Sequence, residues 1–94
     1  MISAISRDYL KQRYPEAYEI GLEYGEHAAN RMIDMRLIDV EATGVEASAQ
    51  LAVSRTLAQN PQFMPLGSEL SRAAYLSHYE GSHKIFAAYA GVAA

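Results

Sequence analysis

The chain has no cysteine, no tryptophan and few prolines. No stretch approaches the ~18 consecutive apolar residues that a membrane-spanning helix needs. Without cysteine, disulfides and thiolate metal sites are excluded, and a reducing, cytoplasmic setting is expected. Residues Met1 to Asp8 lack a basic start leading into an apolar stretch, so no signal peptide is expected. No segment alternates with period two and no hairpin turn signal occurs, which leaves little room for a sheet. A glycine-rich phosphate loop and a nucleophile elbow are also missing, so enzymatic chemistry is not the expectation.

What remains is a chain of 94 residues, half of them apolar and a fifth charged. That composition belongs to a globular protein, and the length allows one helical domain over residues 1–94 with a modest core. The net charge of −3 is unevenly spread. Arg7, Lys11 and Arg13 make the start basic. Residues 15–46 hold eight acids against Arg31 and Arg36. No basic patch able to neutralise several phosphates is present.

The 3.6-residue period dominates from Pro15 to about Ala42, and this stretch reads as one long central helix. Pro15 suits a first helical turn, and Glu16 and Glu19 complement the positive end of the helix dipole. Ala17, Ile20, Gly21, Tyr24, Ala28, Met32, Met35, Ile38 and Ala42 share one face. Tyr18, Leu22, Gly25, Ala29, Ile33 and Val40 adjoin it. The apolar arc covers more than half the circumference, which predicts neighbours on two sides. Gly21 and Gly25, each costing about 1 kcal/mol in a helix interior, predict close approach of another backbone or a tyrosine ring. Together with Tyr24 and Ala28 they form the expected close-packing or self-association patch.

Other helices flank this one. Ser6 can cap a helix over Arg7–Arg13, and Tyr14, preceding proline, is pushed out of helical conformation. Thr43-Gly-Val-Glu46 has the spacing of a capping box, which predicts a helix from Gly44 to about Gln59 with Thr43 as its cap. Asn60-Pro61 ends it, and residues 60–67 form a loop. Ser68 caps a last helix, either continuous to about Ala90 or kinked at Gly81-Ser82, where Ser82 could cap a second piece; the kink is the favoured reading. The fold class is all-α, a bundle of four or five helices.

Several residue groups bear on function. Glu19, Glu23, Glu26, Asn30 and Asp34, with His27 and Glu41, form an acidic strip. It reads either as a solvated face or as a surface for a basic partner. Glu23, Glu26 and His27, together with Glu80 and His83, have the residue types of a carboxylate–histidine metal centre. Their place on the polar side of the helix argues against one, and no metal or other cofactor is expected. His78 falls on an apolar face, as a core histidine would. Phe63, Met64 and Leu66 are large apolar residues on a connector, suited to plugging the bundle or anchoring a partner. Seven tyrosines in so short a chain favour interface positions and hence a homodimer.

The leading expectation is a small cytoplasmic helical module that acts by binding a protein partner, of the kind found among accessory or inhibitory proteins of bacteria and phages. One alternative is a dimeric nucleic-acid-binding regulator using Arg7, Lys11, Arg13, Arg55 or Arg72. A further one is a metal-dependent helical protein.

Overall fold

The structure, a computed structural model, describes residues 7–60 and 68–91. Among them are five helices and no strand: α1 (Arg7–Arg13), α2 (Pro15–Asp34), α3 (Val40–Thr43), α4 (Val45–Gln59) and α5 (Ser68–Ala90). They form a small helical bundle. The broadest contact is between α2 and α5, and α4 packs on α5 and less extensively on α2.

The two long helices run parallel. Tyr14 meets Glu69, Glu26 meets Lys84, and Ala29 and Met32 share a cluster with Phe86. The chain returns between them through α4. Apolar residues gather at the two ends of the α2–α5 seam. Leu10, Tyr18 and Ala73 form one cluster. Ala29, Met32, Val40, Ala49, Ala52 and Phe86 form the other.

Between these clusters the helix backbones touch. A methyl group at Gly25 would overlap the His78 carbonyl, one at Gly81 the Leu22 carbonyl, and one at Gly21 the Ser77 side chain. The close approach expected of Gly21 and Gly25 is therefore made by α5 of the same chain.

α1 begins at Arg7, and Tyr14 separates it from α2 in a non-helical conformation (φ −130°, ψ 62°), as a residue before proline should be. Pro15 opens α2 without a side-chain cap. The long central helix expected over residues 15–42 ends instead at Asp34. Arg36 adopts a left-handed conformation (φ 54°). The Leu37 N–H bonds the Met32 carbonyl (2.9 Å) and the Arg36 N–H bonds the Ile33 carbonyl (3.1 Å). This is the Schellman closure, made here without the usual glycine. The break has a packing reason. Ile38 lies five helical turns after Ile20, so a continuous helix would aim it outward with the exposed Ile20. The turn instead brings Ile38 and Val40 against the core.

Three further expectations are corrected. Thr43 is not a cap. Asp39 caps α3 by accepting from the Ala42 N–H (3.2 Å), and Thr43 is the last residue of that short helix. Gly44, at φ 93°, joins α3 to α4 with no side-chain cap. α5 has no break at Gly81-Ser82, because Gly81 is spent on the crossing and the Ser82 hydroxyl bonds α2 rather than starting a new helix. The buried stripe of α2 is also narrower than the wheel suggested. Tyr18, Gly21, Gly25, Ala29 and Met32 are buried, whereas Ile20 is 50% exposed and Met35 56%. The expected loop, apart from Asn60, lies outside the described residues, as do the Ser6 and Ser68 caps. No helix among the described residues is long and apolar enough to cross a membrane.

Candidate functional site

One flank of α2, which includes the partly exposed Tyr24, is only partly covered. Beside it, α4 runs back so that its last turns stand opposite the middle of α2. An open cleft of about 410 Å³ lies between them. Tyr24, Ala28, Met32 and Met35 line it from α2, with Leu37 from the turn that follows, and Arg55, Thr56, Gln59 and Asn60 from the far side. The volume is that of a small-ligand site or of an anchor pocket for a few apolar side chains.

Local structure fixes each wall. The Schellman turn ties the Leu37 N–H to the Met32 carbonyl, and both residues line the cleft. At the end of α4 the Asn60 side chain donates to the Thr56 carbonyl (2.9 Å), which closes the helix and leaves Gln59 and Asn60 at the rim. Tyr24 is 39% exposed, Met35 56% and Leu37 44%, so large apolar groups face solvent around one opening.

Arg31 and Arg55 supply the charge, and His27 stands at the same rim. The Arg31 Nη2 lies 4.0 Å from the Met35 sulfur, a weak contact. Ion pairs among the described residues join Arg7 to Asp8 and Glu80, and Lys84 to Glu26. Neither cleft arginine takes part in one. Among the described residues, no Asp or Glu lines the cleft.

Behind Tyr24 lies the buried seam with α5. The Tyr24 ring is stacked on His78 at 6.2 Å between centroids and 9° between planes. His78 Nδ1 is 2.6 Å from the Ala74 carbonyl oxygen, so Nδ1 carries the proton and donates. Its Nε2 is buried without a partner among the described residues. Burial pushes the His78 pKa down, against a smaller opposing effect of the Ala74 hydrogen bond. His78 is thus a neutral core histidine that backs one wall of the cleft.

The other singled-out residues are placed as follows. Glu19, Glu23, Asn30 and Asp34 are exposed on the outer side of α2, and His27 is exposed beside them. Glu26 departs from the strip: it is half-buried and accepts from the Lys84 ammonium at 3.3 Å. Gly21 and Gly25 are buried against α5, so neither offers a surface to a second copy. Tyr24 and Ala28 lie in the cleft. Phe63, Met64 and Leu66 lie outside the described residues.

Glu80 is engaged in a structural network. The Arg7 Nη1 donates to its Oε2 (2.8 Å), and the Tyr18 hydroxyl approaches the same oxygen (3.5 Å). Burial, with the charge of Glu80, pushes the Tyr18 phenol up to about 12. His83 instead packs its ring near Tyr79 at 5.7 Å. Among the described residues, no three His, Asp or Glu side chains converge in a way that could hold a metal ion.

Sequence reasoning put Tyr24, Ala28, Met32 and Met35 on one face of a helix, but it did not bring Arg31, Leu37 or the α4 residues Arg55, Thr56 and Gln59 to them. One signal was available: Tyr24, Arg31 and Met35 recur at i, i+7 and i+11, a single stripe of a helix. Leu37 carried none, because it joins the stripe only through the turn at Arg36.

No known protein family, no curated protein and no solved structure matches this chain.

Proposed function

We propose that this protein is a small cytoplasmic helical module that acts by binding another protein, and that the α2–α4 cleft is its docking site. The observation that carries this reading is the ring of exposed apolar residues, Tyr24, Met35 and Leu37, around one polar-rimmed opening. Apolar side chains scattered singly over a surface need no explanation, but a set gathered on a concave site is the usual form of an interaction anchor. The acidic outer strip then serves solubility rather than docking.

The test is site-specific photocrosslinking in host cells. A benzophenone side chain at Met35 or Leu37 should give one discrete heterologous adduct, competed by untagged protein, while the same group at Glu23 should not. An adduct from Glu23 alone would move docking to the acidic strip. An adduct with the mass of two copies would identify the cleft as a homodimer interface.

A further inference from the structure

We infer that the occupant of this cleft is an acidic segment of the partner protein, presenting large apolar side chains flanked by carboxylates. This rests on the reading of the cleft as a docking site and specifies the chemistry of what docks there. The argument is one of charge. The chain has eleven acids against eight bases, yet among the described residues the cleft is lined by two arginines and no acid. Elsewhere Arg7 and Lys84 are matched by Glu80 and Glu26. Lys11, Arg13, Arg36 and Arg72 are in no ion pair among the described residues either, so what sets Arg31 and Arg55 apart is that both line one apolar opening. Arg31 and Arg55 have no carboxylate within ion-pair reach among the described residues, so their planar donor groups remain open to an incoming one. Guanidinium groups pair well with carboxylates, often through two parallel hydrogen bonds.

The floor sets the second half of the specification. Met32 and Met35 are flexible and polarisable, which suits them to accept a leucine or an aromatic ring without prior shaping. A nucleic-acid strand would satisfy the arginines, but its phosphates would leave this floor unused.

The inference is tested by methyl and amide NMR on the whole chain, with two designed helical peptides as probes. One has a Leu/Phe stripe flanked by glutamates, and its twin carries lysines at the same positions. The glutamate peptide should shift the Met32 and Met35 methyl signals and leave the outer strip unchanged. Its affinity should fall at least about tenfold in the Arg31→Glu/Arg55→Glu variant and should fall again in high salt. The lysine twin should bind that reversed variant better than it binds the native protein. An Arg31→Gln/Arg55→Gln variant provides the same loss of affinity should the reversal disturb folding.

The inference is overturned if the two peptides bind native protein equally or not at all, or if a short DNA duplex shifts the same signals more strongly. It is also overturned if the free protein shows nuclear Overhauser contacts from Phe63 or Leu66 to the Met35 methyl, or concentration-dependent shifts at the cleft. The first pattern marks an occupant within the chain and the second marks another copy. Equal binding, with heterologous crosslinking at Met35 intact, would remove the acidic partner but leave the docking site. Loss of that crosslink would remove the docking site itself.

Discussion

The hydroxyl of Ser82 donates a 2.9 Å hydrogen bond to the main-chain carbonyl of Gly25. The donor is on α5 and the acceptor on α2, and Ser82 is fully buried. A helical carbonyl keeps a second lone pair after serving its own ladder, and the missing side chain at Gly25 allows a neighbour to reach it. One contact thus explains why a serine and a glycine lie at the centre of a bundle whose two ends are apolar. Replacing Ser82 by alanine removes the donor with little change in volume. We expect a loss of about 1 kcal/mol, read by urea denaturation, with an unchanged m-value. Unchanged stability would mean that the bond contributes nothing net.

The glycines on either side of this bond carry a larger penalty. Gly81→Ala places a methyl against the Leu22 carbonyl, and Gly25→Ala places one against the His78 carbonyl. Both obstacles are backbone, so no rotamer change relieves them. Each substitution should destabilise by about 2 kcal/mol, within the usual range for overpacking, despite alanine's better helix propensity. Higher melting temperatures would show that the helices do not touch there.

The turn after α2 separates two capping assignments. Asp39→Ala removes the acceptor that Ala42 uses and should cost about 1 kcal/mol. Thr43→Ala, at an exposed position without a capping role, should stay within about 0.5 kcal/mol of native. The reverse order in thermal melts would restore Thr43 as the cap.

Arg36 occupies a left-handed conformation (φ 54°) that costs an ordinary residue about 1–2 kcal/mol. Arg36→Gly should therefore stabilise the protein, by about 0.5–1 kcal/mol after allowing for glycine's greater freedom in the unfolded chain. A destabilised variant would show that the Arg36 side chain contributes more than its backbone strain costs.

His78 makes stability depend on pH. Its folded pKa lies below the ordinary 6.5 because burial disfavours the charged ring. Above that value both folded and unfolded forms are neutral and stability is full. As pH falls below 6.5 the unfolded chain takes up a proton that the folded protein resists, so stability is lost until the folded pKa is reached. His78→Asn keeps a donor for Ala74 and cannot titrate. The stability of native protein relative to this variant should fall between about pH 7 and pH 5, measured by denaturation at each pH. A constant difference would mean that the buried ring titrates as it does in an open chain.

Much of the architecture was legible before any coordinates. The helical class, the bounds of α1, the separation of α1 from α2 at Tyr14, and the end of α4 all follow from local signals. Proline, its neighbour and helical periodicity act within a few residues, so they survive any tertiary arrangement. The close approach at Gly21 and Gly25 was legible as well, since glycine inside a helix needs a packing reason.

Three things were not legible, for one shared reason. The break at Arg36 carries no glycine, and it exists because Ile38 and Val40 gain burial in a core formed with α4 and α5. The unbroken course of α5 through Gly81 depends on Leu22 and Gly25 of a helix more than fifty positions earlier in the chain. The cleft depends on which arc of α2 its neighbours cover, and that left Tyr24 and Met35 open while burying Tyr18 and Met32. Periodicity along a chain determines that a helix has an apolar side. Only the positions of the other helices decide which part of that side meets protein and which part meets water, because burial is a property of the neighbours.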